Sequence, residues 1–269
     1  MLIATGLAQA SPIVPSLGAS GVYAGAALNG QIEFTVSSGS TNAYGDIYVG
    51  AGPHDPDLDF SGGGHIYGTI YRDPNATINI SGGSSATGGV VVMTSGASDQ
   101  VTIDCNAALS QVSALSPTQS FAAISGNTTI TGNGGLNVID ANSINLQGGS
   151  LLNLSGTGSD FFIVRIGGTL TTGGNSNISA DGAGAGHVLF VVDGDITMSG
   201  GTQIDGTYIS ETGDITLSDG THNGAYIVAD SGTLKFQSGP QMNYVGFVPE
   251  PATLLLLALG GLAMLRRRK

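Results

Sequence analysis

Tryptophan is absent from this 269-residue chain, and only 10% of its residues are charged. Aromatic residues amount to 6%, so a core has to be built mainly from aliphatic side chains. The single cysteine, Cys105, cannot form an internal disulfide bond. We expect it to be a buried free thiol or, as the alternative, to link two chains.

Basic residues are scarce and unevenly placed. Seven Lys and Arg stand against 19 Asp and Glu, the formal net charge is −12, and four of the seven basic residues occupy 266–269. A surface this acidic repels phosphate backbones, so we expect no nucleic-acid partner. Hydrophobic residues still make up 41%, which excludes a disordered chain. The 45 glycines follow no Gly-X-Y period, so they indicate many tight turns rather than collagen.

The C-terminus, 248–269, has three consecutive parts. The first is stiff and extended, because each of its prolines fixes its own φ and restricts the residue before it. The second, 252–265, is apolar and predicts a hydrophobic helix somewhat shorter than the roughly 30 Å hydrocarbon core of a bilayer. The third is a basic cluster, which stays on the cytoplasmic side of a membrane. The first part is Val248, Pro249, Glu250 and Pro251, and the third is Arg266, Arg267, Arg268 and Lys269.

These parts, in this order, resemble the PEP-CTERM sorting signal of Gram-negative bacteria, whose bearers are processed by exosortases. The resemblance implies that 248–251 is recognised by an exosortase-type enzyme and that the inner membrane anchors the precursor transiently. It also implies a mature body at the cell surface or secreted, associated with extracellular polysaccharide and biofilm. An ordinary single-span membrane anchor is the alternative.

Residues 1–10 look like the end of a secretory signal, because Ala8 and Ala10 fit the small-residue cleavage pattern. The basic region that normally precedes such a signal is missing. Either the start codon lies upstream of Met1 or the signal is weak.

The body carries a repeated unit of alternating apolar residues followed by a glycine-containing turn. Instances at 58–63, 78–83, 196–201, 215–220 and 234–239 lie 19 or 20 residues from a neighbouring one. Alternation places the apolar residues on one face, and stacked coils bury that face against each other. We predict an all-β β-solenoid (β-helix) with coils of 19–20 residues over 44–247, with 11–43 leading into it.

One segment departs from this pattern. Between 99 and 115 glycine is scarce, and Val101, Cys105, Leu109 and Val112 recur at three- and four-residue spacing, which predicts an α-helix. The helix ends before Pro117. We expect it to lie along one wall of the solenoid and to cover apolar surface there. A second, hydrophobic helix is expected in the C-terminal tail.

Four segments carry a second resemblance: LSPTQ at 115–119, GNGGLNVI at 132–139, DFFIVRIGGTL at 160–170 and GHVLFVV at 186–192. With them the body, over about 44–245, resembles the ice-binding-protein-like β-solenoids and the related choice-of-anchor A proteins of bacterial surfaces. The resemblance implies a β-solenoid fold. Members of these families include proteins that adsorb to ice and many with no known activity.

An ice-binding face would require a flat, regular array of threonines. The candidates are Thr129, Thr131, Thr169, Thr171, Thr197 and Thr216. Thr197 and Thr216 lie one coil apart, but the next equivalent position is Lys235, whose charge interrupts such an array. The alternative is that these threonines are solvent-facing residues with high strand propensity.

Catalytic motifs are not found: neither a Gly-x-Ser-x-Gly nucleophile turn nor a zinc-binding His-Glu-x-x-His occurs. One acidic column would bind a cation or form a carboxylate pair, or else cap turns; it comprises Asp193, Asp195 and Asp214. Asp55, Asp57 and Asp59 lack the glycine and glutamate of an EF-hand loop, which leaves a looser Ca²⁺ site or solvated acids. We therefore expect no metal, no cofactor and no catalytic residue.

The favoured function is an exported, non-enzymatic structural protein of the cell surface or extracellular matrix. An ice-binding or adhesin-type surface module is the first alternative. A carbohydrate-active β-solenoid enzyme, using the acidic column, is the second.

Overall fold

The computed structural model describes residues 14–35, 41–200 and 203–248, which wind into about nine stacked β-coils with one α-helix alongside. Before the helix come β1 (Gly25–Ala27), β2 (Gln31–Thr35), β3 (Asn42–Tyr44), β4 (Ile47–Val49), β5 (Leu58–Ser61), β6 (His65–Tyr67), β7 (Ile70–Arg72), β8 (Ile78–Ile80), β9 (Ser85–Ala86) and β10 (Val90–Val92). The helix α1 is Ser95–Ser113.

After α1 come β11 (Gln119–Phe121), β12 (Thr128–Thr131), β13 (Leu136–Ala141), β14 (Ile144–Leu146), β15 (Leu151–Ser155), β16 (Phe161–Ile166), β17 (Leu170–Thr172), β18 (Asn177–Ser179), β19 (Val188–Val192), β20 (Ile196–Ser199), β21 (Ile204–Ser210), β22 (Ile215–Ser218), β23 (Thr221–Val228), β24 (Thr233–Gln237) and β25 (Gln241–Tyr244). Two short 3-10 turns, Gly18–Val22 and Ala185–His187, complete the described elements. The β-solenoid with one packed helix is confirmed, whereas the predicted C-terminal hydrophobic helix lies outside the described residues.

Parallel strand pairing forms three walls around one core. The helix wall runs β11-β13-β16-β19-β21-β23-β1-β4-β7-β10. The threonine wall runs β14-β17-β20-β22-β24-β2-β5-β8. The tyrosine wall runs β12-β15-β18-β21-β23-β25-β3-β6-β9. Alternate residues of each wall point inward, where aliphatic side chains and stacked aromatic rings such as Phe34 and Phe236 fill the core.

Strands β21 and β23 each belong to two walls and bend between them at a glycine. Gly206, at the bend of β21, has φ 123°, a conformation that residues with a Cβ rarely adopt. Gly224 lies beside it in register, and a Cβ there would lie 1.7 Å from the Gly206 carbonyl oxygen. Two stacked coils therefore turn this corner together because both corner residues lack a side chain.

Coil length varies more than the repeat predicts. Paired residues on β20 and β22 are 19 positions apart, as expected, but those on β14 and β17 or on β17 and β20 are 26 apart. The additional residues lie at corners, for example in 180–187 before β19. Corner insertions leave the strand register unchanged, so the longer coils stack with the shorter ones.

The coils do not follow sequence order along the solenoid. Strand β1 lies between β23 and β4, β2 between β24 and β5, and β3 between β25 and β6. The coils that precede α1 therefore extend the stack beyond the last coil of the chain. Strands begin at Gly25, so the segment that we expected to lead into the solenoid already contributes β1 and β2.

Helix α1 returns the chain along the helix wall to β11. It begins four residues earlier than predicted, at a Thr94 cap whose Oγ1 accepts a hydrogen bond from the Ala97 N–H. Val101, Cys105 and Val112 are buried against outward residues of the wall. Cys105 is a free, buried thiol whose pKa burial raises to about 12.

Arg165 fixes the last turn of α1. Its Nη1 donates to the carbonyls of Val112 and Leu115 at 3.0 and 2.9 Å, at the C-terminal end of the helix, where carbonyls lack the full set of helical partners. Its Nε and Nη2 donate to both carboxylate oxygens of Asp140 at 2.6 and 2.9 Å. The positive charge also lies at the negative end of the helix dipole, so it stabilises the docked helix.

Candidate functional surfaces

The threonine wall brings three of the six predicted threonines into one outward column. Thr171 pairs with Thr197, and Thr197 with Thr216, on three successive strands. Strands in a sheet lie about 4.8 Å apart, so the hydroxyl and methyl groups repeat at that interval. Ser199 and Ser218 form a second, parallel row on the same wall. The outward side chains in these two rows are small and polar.

Charged residues limit the threonine column on one side. Thr216 pairs with Lys235, Lys235 with Glu33, and Glu33 with Asp59. The Lys235 Nζ lies 2.7 Å from the Asp214 Oδ2. Partial burial opposes ionisation of Asp214, but hydrogen bonds from Lys235 and the Thr233 N–H lower its pKa below the ordinary value. The array therefore extends over three coils and then meets a row of long charged side chains.

The other three predicted threonines lie elsewhere. Thr129 and Thr131 are exposed on β12, at one end of the tyrosine wall. Thr169 is exposed at the corner before β17, and its carbonyl accepts a hydrogen bond from the Ile144 N–H. The predicted set is thus divided over two walls and a corner.

The tyrosine wall presents two exposed aromatic rings on neighbouring coils. Tyr44 and Tyr67 are 41% and 45% exposed, and their rings stack with centroids 4.7 Å apart and an angle of 8° between planes. The His65 ring lies 6.2 Å from that of Tyr67, and its Nδ1 is 3.0 Å from the Ser85 Oγ. Large exposed aromatic groups on a rigid surface are typical of binding sites.

A ladder of side-chain amides continues the same column towards the other end of the solenoid. Tyr44 is followed in register by Asn243, Asn223 and Asp205. The Asn243 Nδ2 donates to the Asn223 Oδ1 at 3.0 Å, and the Asn223 Nδ2 donates to the Asp205 Oδ1 at 2.9 Å. Each amide nitrogen has a second N–H, so the ladder offers donors to a ligand lying along the wall.

Sequence reasoning missed Tyr44 and Tyr67, although a signal was present. The sequence Tyr-Gly-x-Ile-Tyr occurs at 44–48 and again at 67–71. In each copy the first tyrosine lies on the tyrosine wall before the corner and the second lies on the helix wall after it. The repeat marks stacked positions, but which tyrosine is exposed depends on the position of α1.

Three of the six acidic candidates, Asp57, Asp195 and Asp214, accept hydrogen bonds from backbone N–H groups. The Asp195 Oδ1 accepts from the Asp214 N–H at 2.9 Å, and the Asp214 Oδ1 accepts from the Thr233 N–H at 2.7 Å, so each carboxylate joins its corner to the next coil. Asp57 is buried and accepts from the Gly52 and Thr77 N–H groups at 2.9 and 2.8 Å. Asp59 accepts from the Asn79 amide at 3.1 Å. Within 14–35, 41–200 and 203–248, no group of three or more His, Cys, Asp or Glu side chains could hold a metal ion.

A pocket of about 250 Å³ lies between the end of α1 and the helix wall. Leu109, Val112, Arg165, Asp193 and Glu211 contribute to its lining. Burial, and secondarily the negative charge of Asp193, raises the pKa of Glu211. Because its guanidinium is already paired with Asp140 and helix carbonyls, Arg165 has a structural role here.

The body ends in a docked segment that leads to the predicted sorting motif. The Tyr244 hydroxyl donates to the Gly21 carbonyl at 2.6 Å, and Phe247 is buried beside Phe161. Val248 is 60% exposed, and its N–H donates to the Gly186 carbonyl at 3.0 Å. Pro249, Glu250, Pro251 and the basic cluster 266–269 lie outside the described residues. Among the residues that are described, none forms a helix long and apolar enough to cross a membrane.

Comparison with protein families identifies both parts of the chain. The model of the Ice-binding-like family matches residues 19–238, and the PEP-CTERM protein-sorting motif matches 247–269. The chain therefore belongs to the Ice-binding-like family and carries a PEP-CTERM signal, as both resemblances predicted. Such a signal implies export through a membrane-anchored precursor and processing by an exosortase-type enzyme. No curated protein sequence matches the chain.

Solved structures of similar fold include several ice-binding proteins. The DUF3494 domain of Shewanella frigidimarina ice-binding protein 1 has a TM-score of 0.61 at 18% identity, over 88% of this chain and 99% of that one. The ice-binding protein LeIBP from an Arctic yeast has a TM-score of 0.59 at 16% identity, over 90% and 98%. The ice-binding protein from an Antarctic Flavobacteriaceae bacterium has a TM-score of 0.55 at 18% identity; the match covers 91% of this chain but only 51% of that one. At these identities the likeness establishes the fold alone.

Proposed function

We propose that the chain is an exported, non-enzymatic protein of the bacterial cell surface or extracellular matrix, which adheres to extracellular polysaccharide through its tyrosine wall. The observation that carries the adhesion is the continuous column of Tyr67, Tyr44, Asn243 and Asn223 along one rigid wall. Each tyrosine ring turns one face to the other, so the column offers mainly phenol hydroxyls and amides, and both kinds of group form hydrogen bonds with sugar hydroxyls.

The geometry of the wall suits a chain-like ligand. Successive side chains of the column lie about 4.8 Å apart, so the four residues span roughly 14 Å. The rings and amides are held by parallel strands and therefore lose little conformational entropy on binding. Most outward groups of this wall are amides, hydroxyls and tyrosines, so a polysaccharide would not have to displace ion pairs. The matched sorting signal supports delivery of this wall to the cell exterior.

The proposal is tested by fractionating the producing organism into membrane, matrix and medium. The wild-type protein should be found in the matrix fraction. Replacing Pro249, Glu250 and Pro251 by alanine should retain the protein in the membrane at precursor size. The double variant Tyr44→Ala/Tyr67→Ala should be processed normally but move from the matrix to the medium.

The matched control is Thr129→Ala/Thr131→Ala, which alters exposed residues at the far end of the same wall and should stay in the matrix. A tyrosine double variant that also stays in the matrix contradicts adhesion through this wall while leaving the sorting step intact. Normal processing of the alanine motif variant contradicts exosortase-type sorting.

Ice binding is the second candidate, favoured by the column of Thr171, Thr197 and Thr216 and by the family of the fold. We expect weak activity, because the array covers three coils before Lys235. The purified protein should shape ice crystals and depress the freezing point slightly. Thr197→Lys should reduce this depression at least tenfold, whereas Thr129→Lys on the other wall should not change it. Ice growth unaffected by the wild-type protein would rule out this function.

A further inference from the structure

One end of the solenoid is open. The coil formed by β8, β9 and β10 is the last of the stack, and each of these strands has one partner among the described strands, namely β5, β6 and β7. Their other edges therefore present unpaired backbone N–H and C=O groups. Such edges readily pair with another chain unless they are protected.

The inward residues of this coil continue the core, but no described strand is stacked on them. Ile78 and Ile80 extend the columns of Leu58 and Phe60, and Val90 extends that of Ile70. Leu58, Phe60 and Ile70 are fully buried, whereas Ile80, Val90 and Val92 are 37%, 39% and 52% exposed. The open end is thus a cross-section of the hydrophobic core facing solvent.

The usual protection of a strand edge is missing here. Residues 74–98 contain no Asp, Glu, Lys, Arg or His, and the strands β8, β9 and β10 contain no proline. Natural edges are commonly blocked by just these residues, especially by lysine. Although the whole chain has a net charge of −12, two copies can approach through this end without bringing like charges together.

The opposite end, formed by β11 and β12, also has strand edges without a described partner, but its apolar core is covered, and we call it the closed end. Its apolar residues Ile124, Ile130 and Ile144 are 2%, 1% and 0% exposed. An open end therefore finds a matching apolar surface on the open end of another copy and not on the closed one. Contact between like ends closes about a two-fold axis and gives a dimer, whereas contact between unlike ends would give a filament.

We propose that two copies of this chain associate end to end through their open ends, with β10 of each copy antiparallel to β10 of the other. A two-fold axis that passes through one wall places that wall against its own copy, while each of the other two walls meets the opposite one. We place the axis at β10 because its three valines make it the most exposed of the three strands. Val91, at its centre, then lies opposite its own copy, with Cα atoms about 4.5–5.5 Å apart.

The size of the end sets the strength of this contact. A coil of about 20 residues at about 3.3 Å per residue has a perimeter near 65 Å and, with three walls, encloses roughly 200 Å²; the backbone edge around it about doubles this, so each end buries on the order of 400 Å². Two such ends bury on the order of 800 Å² in total, below the size of a standard permanent interface. Main-chain hydrogen bonds between the paired edges add to it. We expect a reversible dimer that depends on protein concentration.

Cysteine cross-linking of the full-length chain tests this geometry. Cys105 is buried, so a cysteine introduced at the surface reports on its own position. Val91→Cys should form a disulfide-linked dimer under mild oxidation, because the expected Cα separation suits a disulfide. Thr129→Cys, at the closed end, should remain monomeric. Failure of Val91→Cys to cross-link under conditions where the protein is dimeric overturns the proposal.

Light scattering over a concentration series provides the second measurement. Val91→Lys places two like charges opposite each other, so the dimer dissociation constant should rise at least tenfold, while Thr197→Lys should leave it unchanged. Melting curves verify that both variants fold. A protein that is monomeric at roughly millimolar concentration, or a dimer that Val91→Lys does not weaken, overturns the proposal. The second outcome would assign association to another part of the chain, such as the apolar tail.

Discussion

Phe236→Ala is expected to lower the free energy of unfolding by about 3–5 kcal/mol, the cost of removing a buried phenylalanine and leaving a cavity. Phe236 is fully buried, and its ring stacks on that of Phe34 with centroids 4.3 Å apart and 9° between planes. The pair joins β24 to β2, where the end of the body meets its beginning. Urea denaturation monitored by circular dichroism measures the loss.

Two variants control for this effect. Phe236→Leu keeps most of the side-chain volume and should lower the free energy of unfolding by less than about 2 kcal/mol. Tyr67→Ala removes an exposed ring and should cost less than about 1 kcal/mol. Equal losses for Phe236→Ala and Tyr67→Ala would show that the stack of Phe34 and Phe236 does not hold the two parts of the body together.

Acidification from pH 7.5 to 4.5 is expected to lower the free energy of unfolding by about 2–3 kcal/mol through His222 alone. Burial lowers the pKa of His222 to about 4, against 6.5 for an exposed histidine. The unfolded chain therefore binds a proton as the pH falls through 6.5, whereas the folded chain does not until about pH 4. The contribution of His222 to stability is therefore fully present above pH 6.5 and is lost as the pH falls from 6.5 to about 4.

The contacts of His222 agree with a neutral ring. The Nε2 lies 2.9 Å from the Asp219 carbonyl, to which it donates, and the Nδ1 lies 3.0 Å from the Tyr226 hydroxyl, from which it accepts. His222→Gln should be less stable at pH 7.5 but should lose about 2–3 kcal/mol less than the wild type on acidification. Parallel pH profiles for the two proteins would contradict this assignment. Measurements above pH 4.5 avoid most of the contribution of Asp160, whose pKa its hydrogen bonds lower to about 2 despite the cost of burial.

Local features of the fold could be predicted because they depend on neighbours in sequence. The alternation in Ile196-Thr197-Met198 and Ile215-Thr216-Leu217 correctly predicted strands with outward threonines one coil apart. The three- and four-residue spacing around Cys105 likewise predicted the helix, and the buried free thiol was expected because a lone cysteine is usually buried.

The order of the coils could not be predicted in the same way. Every coil presents nearly the same apolar edge, so Ile32 could stack on many residues, and the pattern does not specify that its neighbour is Leu234. Long coils were missed because corner residues carry no periodicity. Tyr44 and Tyr67 were missed because exposure of a strand residue depends on which wall α1 covers. The sorting motif needed no tertiary information, since its three parts are read along the chain.

The seam between the first and last coils has a consequence for export. Strands β1, β2 and β3 lack one neighbour until β23, β24 and β25 have arrived, and contacts across this seam join residues as far apart as Gly21 and Tyr244. Such distant contacts slow folding. We therefore expect the chain to stay unfolded, and able to thread through a secretion channel, until nearly the whole body has crossed. The last strands to emerge close the structure just as the sorting tail reaches the membrane.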